Sequence, residues 1–302
     1  MTLYAAITLG SNSFNMLVAH THDGQPKIVA KYKRKVRLAE GLQADGSLSD
    51  EAMQRGLDCL RMFAKMLGKE GVSHQHIAII ATATLRNMSN AAEFKQQAKS
   101  ILHADIDVIC GLREAELIYQ GMVATTDGDG RRLVIDIGGA STEFIIGDGD
   151  KLLYKTSLEM GCVTFNRQFF AKSPYNLDQF EQAHDAVAKC LAPQLKSLKQ
   201  LGWLTVVGAS GAVQSVIELL QLRQQSDVIT LAVLQQLQAE ILQQTDASLV
   251  GISHLSAERA PTFVASVAIL LALFQLLNIK QLELSGGALR EGVLQLLAQR
   301  IA

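Results

Sequence analysis

Short apolar runs recur along the chain, each closed by glycine and small hydroxyl residues, and they alternate with longer stretches of helical period. Residues 4–9 form a mainly apolar run that ends in Gly10-Ser11-Asn12-Ser13. A second run covers 14–20, Asp23-Gly24 signals a turn, and 27–32 form a third run. Three short runs joined by turn formers predict a β-meander. A helix is expected to start near Ser49, a good capping residue, because Met53, Leu57, Leu60, Met62, Phe63, Met66 and Leu67 mostly follow helical spacing. A strand at 77–81, a helix at 91–102, a strand at 106–109 and a helix at 113–122 complete this half.

The pattern then restarts. Thr125-Thr126-Asp127-Gly128-Asp129-Gly130 concentrates turn formers and reads as a linker. Strands are expected at 133–137, 144–147 and 151–157, a helical stretch at 177–201, strands at 204–207 and 281–284, and a last helix at 290–300. Ile7-Thr8-Leu9-Gly10-Ser11-Asn12-Ser13 aligns with Ile135-Asp136-Ile137-Gly138-Gly139-Ala140-Ser141, sharing Ile, Gly and Ser at three positions. With the shared meander, this predicts an internal repeat: an α/β chain of two related lobes, 1–125 and 126–302, with a ligand cleft between them.

The bulk numbers narrow the options. Hydrophobic residues make up 48% of the 302 and charged residues 19%, ample for buried cores and unlike a disordered chain. A net charge of −1 announces no nucleic-acid binder, so any polyanion must be met by a local basic patch. Lys31, Lys33, Arg34, Lys35 and Arg37 are one candidate; a solvated strand edge accounts for the same run. Cys59, Cys110, Cys162 and Cys190 form no CxxC pair, which argues against a zinc site or disulfide framework and suits a reducing cytoplasm. The first residues read as a strand and not a signal peptide. The greasiest stretch, 264–277, is short for a membrane span and is expected to be a buried helix.

Candidate chemistry gathers at strand ends. Four turns put glycine and serine directly after an apolar run: 10–13, 138–141, Gly208-Ala209-Ser210-Gly211 and Ser285-Gly286-Gly287-Ala288. Glycine admits a close backbone approach, and successive amides form a concave nest for anions. Asp136 interrupts a greasy strand, which is costly without solvation or a ligand. It either accepts hydrogen bonds from its own turn or, with Glu143, supplies oxygen to Mg²⁺, an ion commonly held by one or two carboxylates and substrate phosphate.

At this point the sequence resembles a known family. Residues 6–14, Ala81-Thr82-Ala83-Thr84-Leu85-Arg86, Ile109-Cys110-Gly111-Leu112-Arg113-Glu114-Ala115 and Ile135-Asp136-Ile137-Gly138-Gly139-Ala140-Ser141-Thr142-Glu143 look like the exopolyphosphatase / guanosine pentaphosphate phosphohydrolase family. Met160-Gly161-Cys162-Val163, the turn at 208–211 and Ser285-Gly286-Gly287-Ala288-Leu289-Arg290-Glu291-Gly292 continue the likeness in family order over nearly the whole chain. Tyr119-Gln120-Gly121 and Gly138-Gly139-Ala140-Ser141-Thr142 lean slightly toward the pentaphosphate branch.

The resemblance implies the actin-like, sugar-kinase-like ATPase superfold, with two ribonuclease-H-like lobes and an interlobe cleft. It implies hydrolysis of the terminal phosphate of polyphosphate or guanosine pentaphosphate with Mg²⁺, Mn²⁺ not being distinguished from it. Glu114 would be the general base. Asp136 and Glu143 would hold the metal, and Arg86 would grip phosphates. Gly10, Ser11, Asn12, Ser13, Gly138, Gly139, Ala140 and Ser141 would cradle them, with Gly208, Ser210 and Gly211 contributing. Neither a specific nucleic acid nor a membrane is an expected partner, and whether the chain forms a homodimer is left open.

Two departures stand out. Thr8 occupies a position where the family pattern has Asp, keeping an oxygen and losing the charge. The chain also ends just after the second lobe, where many members continue into a helical extension, so it is a short form or a piece. A kinase of the same superfold, with an adenosine pocket around 208–215 and no water-activating Glu114, and a catalytically weak alarmone or polyphosphate sensor are the competing expectations.

Overall fold

Strand β1 (Leu3–Leu9) is apolar without alternation because both of its faces are covered. Ala5, Ile7 and Leu9 enter one core, and Tyr4 and Ala6 enter another on the opposite side of the sheet. β1 runs antiparallel to β2 (Ser13–His22), which pairs antiparallel with β3 (Gln25–Lys35). On its other side β1 is parallel to β4 (Ile77–Ala81), and β4 to β5 (Ile106–Val108). The sheet order is β3-β2-β1-β4-β5. In this computed structural model, which describes residues 2–301, the chain divides into unit 1 (Met1–Asp127, Gly286–Ala302) and unit 2 (Gly128–Ser285). What was expected of Met1 and Ala302 lies outside the described residues.

In unit 1, α1 (Asp50–Glu70) begins where the Ser49 hydroxyl accepts from the Ala52 amide at 3.3 Å, as the cap signal predicted, and ends at Gly71 with φ 74°. α1 and α3 (Ala91–Leu102) cover one face of the sheet. α2 (Ala83–Asn87) is one short turn after β4, and α4 (Gly111–Val123) follows β5 on the other face.

Unit 2 repeats the plan. β6 (Arg131–Ile137), β7 (Thr142–Asp148) and β8 (Lys151–Leu158) form the meander. After α5 (Cys162–Phe169) and α6 (Leu177–Leu201), β9 (Thr205–Ala209) lies parallel to β6. α7 (Ser210–Leu222), β10 (Ile229–Thr230), α8 (Leu231–Leu242), α9 (Ala260–Leu277) and β11 (Gln281–Leu284) follow. The sheet order is β10-β11-β9-β6-β7-β8. Both units thus carry an antiparallel meander continued by parallel strands, the ribonuclease-H-like plan expected. α9 is apolar all round because it is the core helix of unit 2, packed against α5, α6, α7 and α8. By length and composition it could cross a membrane, but 78% of it is buried inside the protein.

One boundary differs from expectation. The sequence placed 126–302 in a single second lobe, but the final helix, α10 (Leu289–Ile301), packs in unit 1. Val293, Leu294, Leu297 and Ala298 join Tyr4, Ala6, Leu17 and Leu117 in one core. The reason is steric as well as apolar. A Cβ on Gly292 would sit 1.9 Å from the Leu117 carbonyl oxygen, and one on Gly121 would sit 1.9 Å from that of Ala288. α4 and α10 therefore touch backbone to backbone, which only glycine permits. Gly286 and Gly287 also lie against Thr125, and the Gly286 amide donates to Thr126 Oγ1 at 2.9 Å. The fourth glycine turn is thus used in chain packing.

Gly292→Ala and Gly121→Ala are each expected to lower stability by about 3 kcal/mol, at the upper end of overpacking costs, because backbone cannot yield as a side chain can. Urea midpoints check this; a change within experimental error for both would mean that the helices separate freely.

Candidate active site

The candidate residues of unit 1 sit at the carboxyl ends of three neighbouring parallel strands, the usual ligand edge of such sheets. β1 ends in turn 10–13, closed by the Gly10 amide donating to the Ser13 carbonyl at 3.1 Å. The Asn12 and Ser11 carbonyls accept from the amides of Arg37 and Ala39, both at 2.9 Å, which fixes the turn against the chain leaving β3. β4 ends at Ala81, beside Leu9, and α2 starts there, so Arg86 follows within its first turns. β5 leads into α4, whose first turn holds Glu114, its amide donating to the Cys110 carbonyl at 3.0 Å.

The fold brings Arg86 and Glu114 together. Arg86 Nη1 donates to the Ile109 carbonyl at 2.6 Å and lies 3.8 Å from Glu114 Oε2. Glu114 is 8% exposed, so the guanidinium is placed to balance a nearly buried carboxylate. A carboxylate held in a helix's first turn beside a fixed cation can orient a water molecule and take its proton.

Unit 2 builds a second set at the same place in its sheet. The Gly138 amide donates to the Ser141 carbonyl at 2.8 Å, the same closure as Gly10 with Ser13. The first amides of α5 then bond the turn: Cys162 to the Gly138 carbonyl, and Val163 and Thr164 to that of Gly139, at 2.9 to 3.1 Å. Gly161 must lack a side chain, since a Cβ would lie 2.4 Å from the Ala140 nitrogen. The Met160-Gly161-Cys162-Val163 motif is therefore the buttress of turn 138–141. At the end of β9, Ser210 takes φ 79°, rare for a residue with a side chain, and its hydroxyl donates to the Ile137 carbonyl at 2.7 Å. Gly208 is buried, and a Cβ there would meet Val213 and Leu282 at 2.6 Å, which gives that glycine a packing reason. Gly211 accepts at its carbonyl from Arg259 at 3.4 Å.

Asp136 and Glu143 are cross-strand partners on β6 and β7. They are 7% and 1% exposed. Burial pushes the Asp136 carboxyl up to about 6, against a smaller opposing effect of the Ser210 hydroxyl. Ser157 donates to Glu143 Oε1 at 2.7 Å. Among the described residues no group of three or more His, Cys, Asp and Glu converges. Two desolvated carboxylates side by side nevertheless suit Mg²⁺, which takes one or two from the protein and completes its shell with water and phosphate.

The sequence reading passed over the counterpart of this pair. The repeat offset that sets Thr8 against Asp136 also sets Asn15 against Glu143, and the registers agree: Thr8 pairs with Asn15 as Asp136 pairs with Glu143. Asn15 Nδ2 lies 3.5 Å from Thr8 Oγ1, and Asn15 Oδ1 is buried without a hydrogen-bond partner. The acidic pair of unit 2 is neutral in unit 1. Carrying the alignment two residues past Ser13 would have exposed this.

The profile of the Ppx/GppA phosphatase family matches residues 17–300. A guanosine-5'-triphosphate,3'-diphosphate pyrophosphatase of Aliivibrio fischeri is 48% identical over 291 residues, 96% of this chain and 58% of the relative. One from Vibrio cholerae is 46% identical over 297 residues, 98% of this chain and 59% of the relative. The chain thus spans less than two thirds of the curated relatives it matches. The crystal structure of an exopolyphosphatase from Cytophaga hutchinsonii superimposes with a TM-score of 0.87 at 27% identity, covering 99% of this chain and 98% of that one.

In metal-free protein, the raised Asp136 pKa means that the native state binds its proton more tightly than the unfolded chain does. Stability therefore falls as pH rises from about 4 to about 6 and stays lower above it. Asp136→Asn should stabilise the metal-free protein at pH 7 by about 2–3 kcal/mol, the equivalent of some two pKa units, with the gain fading below about pH 4. Thermal melts across this range, with chelator, test it; a variant less stable at pH 7 would show that the charge is already compensated by the protein.

Proposed function

This chain belongs to the Ppx/GppA phosphatase family, and from that premise we propose that it removes the terminal phosphate of guanosine 5'-triphosphate 3'-diphosphate by hydrolysis. The observation that carries the reading is Glu114, nearly buried in the first turn of α4 and 3.8 Å from Arg86. Identity of 46–48% to guanosine pentaphosphate pyrophosphatases over almost the whole chain supports the substrate.

Phosphoryl transfer asks the protein for positioning and for charge to set against the phosphate oxygens, more than for covalent chemistry. Glu114 orients a water molecule and accepts its proton as the water oxygen bonds to the γ-phosphorus. The bond from that phosphorus to the β,γ-bridging oxygen breaks, and the electron pair stays on the β-phosphate. Inorganic phosphate and guanosine 5'-diphosphate 3'-diphosphate result. Arg86, already anchored on the Ile109 carbonyl, offers its remaining donors to phosphate oxygens. The amides and hydroxyls of turn 10–13 bind further phosphate oxygens, and turn 138–141 offers the same kind of anion nest in unit 2. Asp136 and Glu143 are the residues that would hold Mg²⁺, which when bound offsets negative charge on the substrate.

A second substrate, inorganic polyphosphate, is favoured by the likeness to the Cytophaga exopolyphosphatase. It offers the same terminal phosphoanhydride to the same residues. Thr8 bears on rate: a neutral, buried hydroxyl stands where a carboxylate would add charge.

Glu114→Gln should lower kcat by about two to four decades, the range of general acid–base catalysis, with KM little changed. Phosphate release from guanosine pentaphosphate, polyphosphate and ATP, side by side with Mg²⁺, measures both this and the substrate ranking. Wild-type turnover in the variant would remove Glu114 from the reaction. Thr8→Asp should raise kcat or lower the Mg²⁺ needed for half-maximal rate; no change in either would make the substitution at this position neutral.

A further inference from the structure

The basic run singled out in the sequence lies on β3, the edge strand of the unit 1 sheet. Its register shows which way the charges face. Lys31 pairs with Leu17, Lys33 with Asn15 and Lys35 with Ser13. Leu17 belongs to the core on the α4 and α10 side of the sheet, and alternate residues share a face. Lys31, Lys33 and Lys35 therefore share the face that bears Asn15 and Thr8, and Arg34, opposite Phe14, takes the other. Successive lysines stand about 6.6–6.8 Å apart along the strand. Beyond Lys35 the chain bends back, and the Arg37 amide bonds the Asn12 carbonyl in turn 10–13 at 2.9 Å. The row of cations thus runs up to the turn that binds phosphate.

Lysines also blunt exposed sheet edges. That role needs neither a common face nor a route to the turn. The internal repeat supplies the comparison. In unit 2 the row across the meander is Ser157, Glu143 and Asp136; in unit 1 it is Lys33, Asn15 and Thr8. One copy is acidic and suits a cation. The other has neither carboxylate and carries an ammonium, which suits an anion.

We propose that the β3 face of unit 1 is a track for a linear polyphosphate chain, with Lys31, Lys33 and Lys35 holding successive stretches of it and its end entering turn 10–13. This rests on the assignment of turn 10–13 to phosphate binding. Lys35 to Lys31 spans about 13 Å along the strand, so a chain whose end sits in the turn must be several phosphates long to reach Lys31.

Binding measured by calorimetry in the Glu114→Gln protein, where turnover is suppressed, tests the track with tripolyphosphate, long-chain polyphosphate and guanosine pentaphosphate as probes. Lys31→Gln/Lys33→Gln should cut the ratio of long-chain to tripolyphosphate affinity by about tenfold, and the slope of log affinity against log salt for the long chain should fall by about 1.4, from ~0.7 per cation lost on a flexible polyanion. Lys31→Arg/Lys33→Arg should restore the ratio. An unchanged ratio, whether both probes weaken equally or neither does, would overturn the track. So would guanosine pentaphosphate weakening as much as the long chain, which would assign these lysines to the nucleotide. Because affinity is read without turnover, a protein that hydrolyses nothing would strike the hydrolase assignment and leave the track standing or falling on its own ratio.

Discussion

The crossing of α4 and α10 is the constraint on which unit 1 depends. Gly121 and Gly292 let two helix backbones meet where any side chain would collide with a carbonyl oxygen. The last helix thereby completes the core under β1 and holds α4 on the sheet. Glu114 is in the first turn of that same helix, so its distance from Arg86 depends on a contact made two turns further along. Core packing and candidate chemistry are one problem here: the residues that close the fold are those that place Glu114.

Both units solve the ligand edge in the same way. A strand ends in a glycine whose amide closes on a serine carbonyl three residues later, and the turn is then held from outside, by Arg37 and Ala39 in unit 1 and by α5 in unit 2. Rigid turns matter because anion-binding amides act by being aimed in advance. On this shared frame the polar rows have diverged. Asp136 and Glu143 are buried acids, and Thr8 and Asn15 are neutral beside a cationic edge strand. The two units thus carry a charged and a neutral pair at equivalent register positions of the same strand plan.

Much of this was legible in residue order. The β1 to β2 and β6 to β7 turns, the Ser49 cap, the restart after Gly130 and the buried helix at 264–277 all rest on local signals: period, turn formers and unbroken apolar runs. Candidate residues with a local signature, such as the glycine turns and an aspartate in a greasy strand, stood out for the same reason. Three short elements were not. α2, α5 and β10 are too brief for a periodic pattern, and α2 is the one that carries Arg86.

What the sequence by itself determined was the alternation of strands and helices, the repeat, the family likeness and the candidate residues, because each is written in neighbouring positions. Only tertiary structure decided which of them meet. Arg86 and Glu114 come together because β4 and β5 are adjacent parallel strands. Asp136 faces Glu143, and Asn15 faces Thr8, because antiparallel register sets them opposite. The final helix returns to the first unit, against the expectation of two consecutive lobes, because glycine backbones there fit α4. Pairing across strands and contact between helices are long-range choices, settled by steric fit and burial that no local pattern encodes.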